Sequence, residues 1–407
     1  MNNQKLVLEL KLLINEVLKF KAPTDKLLSS YFRSNSKIGS KERSIFAETI
    51  YAILRNYFKL SNLILNKKLD IIIFYIWRDI IKLDKQYLQY FNINSKDIFI
   101  TNGIEAKLEL PNWLIDILNN YYSSDELEKI ASSMKLNAPL DLRINSLKTD
   151  RNKIEQYLCE NKIKYELTKL SPYGIRLEDR TFILRNKLFI DGLIEVQDES
   201  SQIAAMLLNP KRGEMIVDFC AGSGGKSLIF GMLMKNTGRI YAFDINEKRL
   251  NNLSPRLQKS GLSNIYPFLI NNENDSKIKR LHNKIDKVFV DAPCSGIGTL
   301  RRNPDLKFRQ SLRTIEELNI KQLSILNSAS KLVKLNGILA YATCSIIPKE
   351  NQEIINQFLQ NNLNFELIDY KNIINNSLLF SSNKYLQLLP NVHATDGFFI
   401  ALLKRKN

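Results

Sequence analysis

No run of apolar residues in this 407-residue chain is long enough to cross a membrane: the longest, residues 71–77, is closed by Asp70 and Arg78, whereas a spanning helix needs roughly 20 residues. The beginning of the chain carries Lys5, Glu9, Lys11, Glu16 and Lys19 among its apolar residues, which excludes the uninterrupted core of a secretory signal. A cytoplasmic protein with no membrane partner is expected. Cysteine is scarce: Cys159, Cys220, Cys294 and Cys344 are too few for a disulfide scaffold and lack metal-ligand spacing. With histidine limited to His282 and His393, no metal site is expected. No Gly, Pro or Ser tract marks a disordered region, so the whole chain is expected to fold.

What is present begins with size and charge. The length exceeds that at which one hydrophobic core stops growing, so two or three domains are expected. The formal charge of +17 has two readings. It suits a polyanionic partner, whose phosphates Lys and Arg neutralise, or it reflects a composition rich in Lys, Ile and Asn throughout.

Residues 1–130 read as successive helices, with apolar residues three and four apart, as in Leu6, Leu10, Leu13, Ile14 and Val17. Ser40 is expected to cap a helix carrying Ile45, Phe46, Thr49, Ile50, Ile53 and Leu54. The Arg55 that ends it either faces RNA or is solvated. Residues 131–205 turn to short alternating segments, such as Leu140, Leu142 and Ile144, and read as a small α+β module. In residues 206–407, strands at 216–219, 240–243, 287–290 and 337–341 alternate with longer stretches, which implies a parallel sheet with crossover helices.

Ligands of such sheets bind where strands turn into helices, and four stretches fall there. The first, DFCAGSGGKS at residues 218–227, runs a strand into a glycine-rich turn. A phosphate-binding loop needs an earlier glycine where Cys220 stands, which excludes a nucleotide triphosphatase. The loop either holds a nucleotide-like cofactor or makes a structural turn. Asp244 ends the next strand, and an acid at that remove can accept hydrogen bonds from both ribose hydroxyls of an adenosine cofactor or cap a helix. The third stretch, Asp291-Ala292-Pro293-Cys294-Ser295-Gly296, and the fourth, Thr343-Cys344-Ser345, each put a thiol directly after a buried strand. Two such thiols on one sheet edge can converge on one cleft. For Cys159 and Cys220 the expected role is that of a small buried hydrophobe.

The set DFCAGSGGKS, DAPCSGIGTLRRNPD and YATCSIIPKEN resembles the signature of the RsmB/Sun family of RNA cytosine-5 methyltransferases. LRINSLK at 142–148, LIEVQDESSQ at 193–202 and the late Asp396-Gly397-Phe398-Phe399 match as well, so the resemblance covers residues 110 to 405. The helical start is similar, more loosely, to a NusB-like RNA-binding domain. The fold implied is an α/β, Rossmann-like class I methyltransferase sheet, preceded by the α+β module and the all-α domain. Carried over residue by residue, the resemblance makes Cys344 the nucleophile and Cys294 the group that assists product release. Asp291 contacts the cytosine edge, and Lys226 helps hold the base or the loop. The S-adenosylmethionine pocket is lined by Cys220, Ala221, Gly222, Ser223, Gly224, Gly225, Lys226, Asp244 and Asp291. The sequence departs from the family at Gly222-Ser223, where Ala-Pro is usual, and at Asn271-Asn272, where an aspartate is often found.

The chemistry asks for such a set independently. C5 of cytosine is a poor nucleophile until a thiolate adds to C6, an acidic group near N3 stabilises the charge that develops, and the C5 proton must then leave. A stacked base cannot react, so Arg301, Arg302, Lys307 and Arg309 either line a basic channel for the backbone or lie on a solvated surface. Methylation of small-subunit ribosomal RNA by a monomer is the leading expectation. A transfer-RNA enzyme and a non-catalytic RNA-binding assembly factor are the alternatives. A DNA enzyme would put its nucleophile in the Pro-Cys motif.

Overall fold

The computed structural model describes residues 3–94, 98, 100–178, 186–374 and 376–406. The chain divides into two units, one of them Met1–Asn137 with Thr299–Arg313, the other Ala138–Gly298 with Thr314–Asn407.

The first unit is helical. Leu6, Leu10, Leu13, Ile14 and Val17 all lie on the buried side of the helix Asn3–Val17, as three-and-four spacing requires. Helices Thr24–Ser34, Ser40–Arg55 and Leu69–Tyr75 pack their apolar stripes into the same core around Phe46 and Trp77, and the Trp77 indole donates to Thr49 Oγ1 at 2.8 Å. Ser40 is the first residue of its helix rather than the cap; Gly39 stands at the cap without a side-chain bond. Phe308 stacks on Phe20 with ring centroids 4.4 Å apart, so the late segment Thr299–Arg313 is part of this core.

The second unit carries two sheets. Strands β1 (Leu140–Ile144), β2 (Tyr165–Leu167), β3 (Gly174–Leu177) and β4 (Ile194–Val196) form an antiparallel sheet in the order β2-β3-β1-β4. The larger sheet comprises β5 (Met215–Asp218), β6 (Arg239–Asp244), β7 (Ile265–Leu269), β8 (Ile285–Asp291), β9 (Val333–Thr343), β10 (Phe365–Ile368), β11 (Leu386–Leu388) and β12 (Phe398–Arg405). Its order is β10-β12-β9-β8-β5-β6-β7, with β11 paired to β12. The strands from β9 to β7 in that order run parallel, and β12 runs antiparallel to β9. This is the Rossmann-like α/β sheet expected. Apolar clusters cover both faces, one around Ile216, Ile240 and Phe289, the other around Val217, Val288 and Tyr341, which is why the central strands read as nearly continuous apolar runs. No helix among the described residues is long and apolar enough to cross a membrane.

Candidate active site

Strands β5, β6, β8 and β9 end side by side, and the four sequence motifs follow them. After β5 the chain turns through Ala221 to Gly224 into the helix Gly225–Leu233. Gly224 takes φ +79°, and a Cβ there would lie 2.1 Å from Leu253 Cδ1, so only glycine fits. Gly222 has φ +58° with nothing within 4 Å of a Cβ position, which leaves open space over the turn.

The turn is held from behind by long-range donors. Buried Arg143 on β1 donates to the Gly225 carbonyl at 2.9 Å, joined by Gln197 Nε2 at 3.2 Å. Arg256 donates to the Ser223 carbonyl at 2.6 Å and to Ser223 Oγ at 3.2 Å, and its other nitrogen meets Glu195 at 3.0 Å. Ser223, where proline is usual, thereby gains a partner that proline could not offer. Asp244 accepts from the Gly222 N–H through one oxygen and from the Asn246 N–H through the other, both at 2.7 Å. It ties the turn to the end of β6 and does not cap a helix; Asn246 does that. Each carboxylate oxygen keeps a further lone pair for a ligand hydroxyl. Below the turn, Asp218 accepts from Ser227 Oγ at 2.6 Å, while its second oxygen is buried without a partner. Burial pushes this carboxyl up to about 7 against the opposing Ser227 bond. Burial first, then the neighbouring acids, also pushes the Cys220 thiol well up.

Asp291 closes β8, and its Oδ2 lies 2.7 Å from Lys226 Nζ. The ammonium also sits over the Phe398 ring, 5.2 Å from its centroid. Burial disfavours the Lys226 cation, but Asp291, Asp218 and Cys344 together outweigh it and hold the lysine charged.

Cys294 and Cys344 follow adjacent parallel strands that pair Asp291 with Ala342. Their Sγ atoms stand 3.4 Å apart. Contact with Cys344, then burial, holds the Cys294 thiol well above its ordinary range. The backbone behind the thiols is equally close: Gly298 N–H donates to the Cys344 carbonyl at 3.0 Å, and Gly397 N–H to the Gly298 carbonyl at 2.8 Å. A Cβ on Gly298 would lie 2.2 Å from the Gly397 oxygen, and one on Gly397 would lie 2.8 Å from Gly298 Cα, which explains both this glycine and the one in the late Asp-Gly-Phe-Phe motif.

The structure thus gathers Cys294, Cys344, Asp291 and Lys226 at one sheet edge, with residues 220–226 and Asp244 along the neighbouring strand ends. It corrects the reading of four other positions. Arg301 and Lys307, offered to a basic channel, are 7 % and 4 % exposed. Lys307 donates to the Glu109 carbonyl at 2.8 Å inside the helical unit, where its long stem is buried and its charge is paired. Arg55 does not end in solvent but donates to the Arg301 carbonyl at 3.0 Å. Cys159 is exposed, on the outer side of the helix Arg151–Glu160. Arg143, Gln197, Arg256 and Glu350 were not among the expected site residues, although three of them stand within the quoted motifs.

The family model described as 16S rRNA methyltransferase RsmB/F matches residues 205–404, and that of the RsmF/B-like ferredoxin-like domain matches residues 110–183. The probable ribosomal RNA small subunit methyltransferase B of Synechocystis sp. is 37% identical over 309 residues, covering 74% of this chain and 68% of that protein. Its counterpart in Bacillus subtilis is 33% identical, covering 73% and 66%. The match thus spans about two thirds of these curated relatives. The crystal structure of PH0851 superposes with a TM-score of 0.79 at 24% identity, covering 99% of this chain and 98% of that one, and so shares the fold.

Proposed function

The chain belongs to the RsmB/F family of ribosomal RNA methyltransferases, and from that premise we propose that it methylates C5 of a cytosine in small-subunit ribosomal RNA through a covalent adduct of Cys344. The observation that carries this reading is the 3.4 Å approach of the two thiols beside the Lys226–Asp291 pair.

S-adenosylmethionine is the methyl donor, and when bound it supplies an electrophilic methyl group on sulfonium sulfur. The residues present suit an adenosyl cofactor, because Gly222 leaves open space over the turn and Asp244 presents a carboxylate at the end of the next strand. Residues 220–226, Asp244 and Asp291 are the proposed lining.

The Cys344 thiolate adds to C6 of the flipped base, and the electron pair of the C5–C6 double bond shifts onto C5, delocalised through C4 to N3, making C5 nucleophilic. Asp291 accepts from the base edge, and the Lys226 cation offsets the negative charge that builds on the ring. Once C5 carries the methyl group, its proton leaves, the C5–C6 double bond re-forms, and Cys344 departs with the electrons of the C6–S bond. Cys294 is proposed to receive that proton. Two thiols this close do not both ionise, and the neighbouring Cys344 is the largest of the effects that keep Cys294 protonated. Conversion of Cys344 to a neutral thioether removes that effect, so Cys294 can give its own proton to solvent and, as the thiolate, take the proton from C5.

Incubation with labelled S-adenosylmethionine and either small-subunit ribosomal RNA or transfer RNA, followed by mass mapping of methylated nucleosides, tests the proposal. One 5-methylcytosine in ribosomal RNA, absent with Cys344→Ala, is expected. Label in transfer RNA alone would replace the substrate. No label on either RNA, with cofactor bound, would overturn the catalytic reading in favour of an RNA-binding factor.

A further inference from the structure

Glu350 is buried, contributed by the 3-10 turn Pro348–Glu350 just beyond Cys344. Its carboxylate gathers four donors. Oε1 accepts from the Ser295 N–H at 2.7 Å and from Gln322 Nε2 at 3.1 Å, while Oε2 accepts from Ser295 Oγ and Ser345 Oγ, each at 2.5 Å. Ser295 directly follows Cys294, and Ser345 directly follows Cys344. One side chain therefore spans both thiol-bearing loops.

The two loops depend on it unequally. The Cys344 loop has a support of its own, since Asn351 Nδ2 donates to the Ser345 carbonyl at 3.0 Å, whereas the Gly298 N–H bond to the Cys344 carbonyl ties the two loops to each other. The Cys294 loop gives two of its groups to Glu350, and Gln322, which Glu350 also binds, donates to the Pro293 carbonyl at 3.0 Å. Glu350 with Gln322 thus embraces the loop on both sides of Cys294.

We propose that Glu350 is the positioning residue for Cys294, holding the second thiol in register with Cys344 so that the methylated adduct can be released. The inference rests on the roles given above to the two cysteines. Its charge acts in the same place, since Glu350 is among the groups that keep Cys294 protonated. A glutamine here retains the shape but only one acceptor oxygen, so two of the four donors lose their acceptor, and the serine hydroxyls keep a contact only by turning to accept from the amide.

The test compares Glu350→Gln with wild type, Cys294→Ala and Cys344→Ala, using the full chain, its RNA substrate and S-adenosylmethionine. A misplacement of about 1 Å can cost on the order of 10²-fold in rate. Glu350→Gln is therefore expected to lower kcat by on the order of 10- to 10²-fold with the KM for RNA and the cofactor affinity unchanged. It is also expected to accumulate a methylated protein–RNA complex stable to denaturing electrophoresis, as is expected of Cys294→Ala. Ser295→Ala, which removes one hydroxyl, should show the same accumulation more weakly and guards against a Glu350 variant that fails to fold. Loss of turnover without accumulation in either variant, or unchanged turnover in both, overturns the positioning role. If Cys294→Ala itself traps nothing, the assignment of the cysteines fails instead, which separates the two outcomes.

Discussion

Around the glycine-rich turn the fixing groups are donors: Arg143, Gln197 and Arg256 reach the carbonyls of Ser223 and Gly225. Around the thiols the fixing group is an acceptor, Glu350, which takes an N–H and two hydroxyls. Tying back carbonyls leaves the turn rigid with open space over Gly222, a surface suited to a bound cofactor. Tying back serines leaves their neighbouring sulfurs beside each other. The difference teaches that binding and bond-making are held by separate networks on one sheet edge, so substitutions should divide between them.

The sharpest division is expected from Cys344→Ala, which should lower methyl transfer by on the order of 10⁴-fold or more while the dissociation constant for S-adenosylmethionine, followed by calorimetry, stays that of wild type. Gly298→Ala comes next. Its Cβ would press on the Gly397 carbonyl 2.2 Å away, at a cost of about 1–3 kcal/mol. Because Gly298 also supports Cys344, kcat should fall in steady-state assays and the melting temperature should fall in calorimetry, with cofactor affinity little changed.

Arg256→Ala attacks the other network. Loss of a charged donor to the turn, worth about 1.5–3 kcal/mol, should weaken cofactor binding roughly tenfold or more, while the rate at saturating cofactor stays close to wild type. Equal losses of affinity and saturated rate would break the comparison.

A further effect, which touches stability and neither binding nor bond-making, concerns Asp218, whose carboxyl is raised from 3.8 to about 7 mainly by burial. A carboxyl raised in the folded state contributes stability that is full below its unfolded value and is lost as pH rises through the folded one. Wild type should therefore lose stability relative to Asp218→Asn between about pH 4 and pH 7, read as the difference between their melting temperatures across that window. A difference independent of pH would contradict the burial argument.

Much of this was legible in the sequence, and the reason is locality. Cys294 and Cys344 each follow a buried strand directly, so placing the strands places the thiols, and the runs at 287–290 and 337–341 lie inside β8 and β9. Partners that arrive from afar left no local signal. Arg256 lies in the helix Leu253–Ser260, between Pro255 and Leu257 and outside every quoted motif, yet it holds Ser223. Lys307 and Arg301 read as exposed because a lone basic residue normally is, and the group that receives Lys307, Glu109, lies far away in sequence. Glu350 stood in a quoted motif, but its role depends on Ser295 and Gln322, which only the fold brings to it.

The central claim, that Cys344 and not Cys294 forms the bond to the base, is tested most directly with RNA carrying 5-fluorocytosine. Fluorine at C5 blocks the proton loss that precedes release, so the wild-type adduct should persist. Digestion and peptide mass spectrometry should find the nucleotide remnant on the peptide containing Cys344, in accord with the account. A remnant on the Cys294 peptide would contradict it.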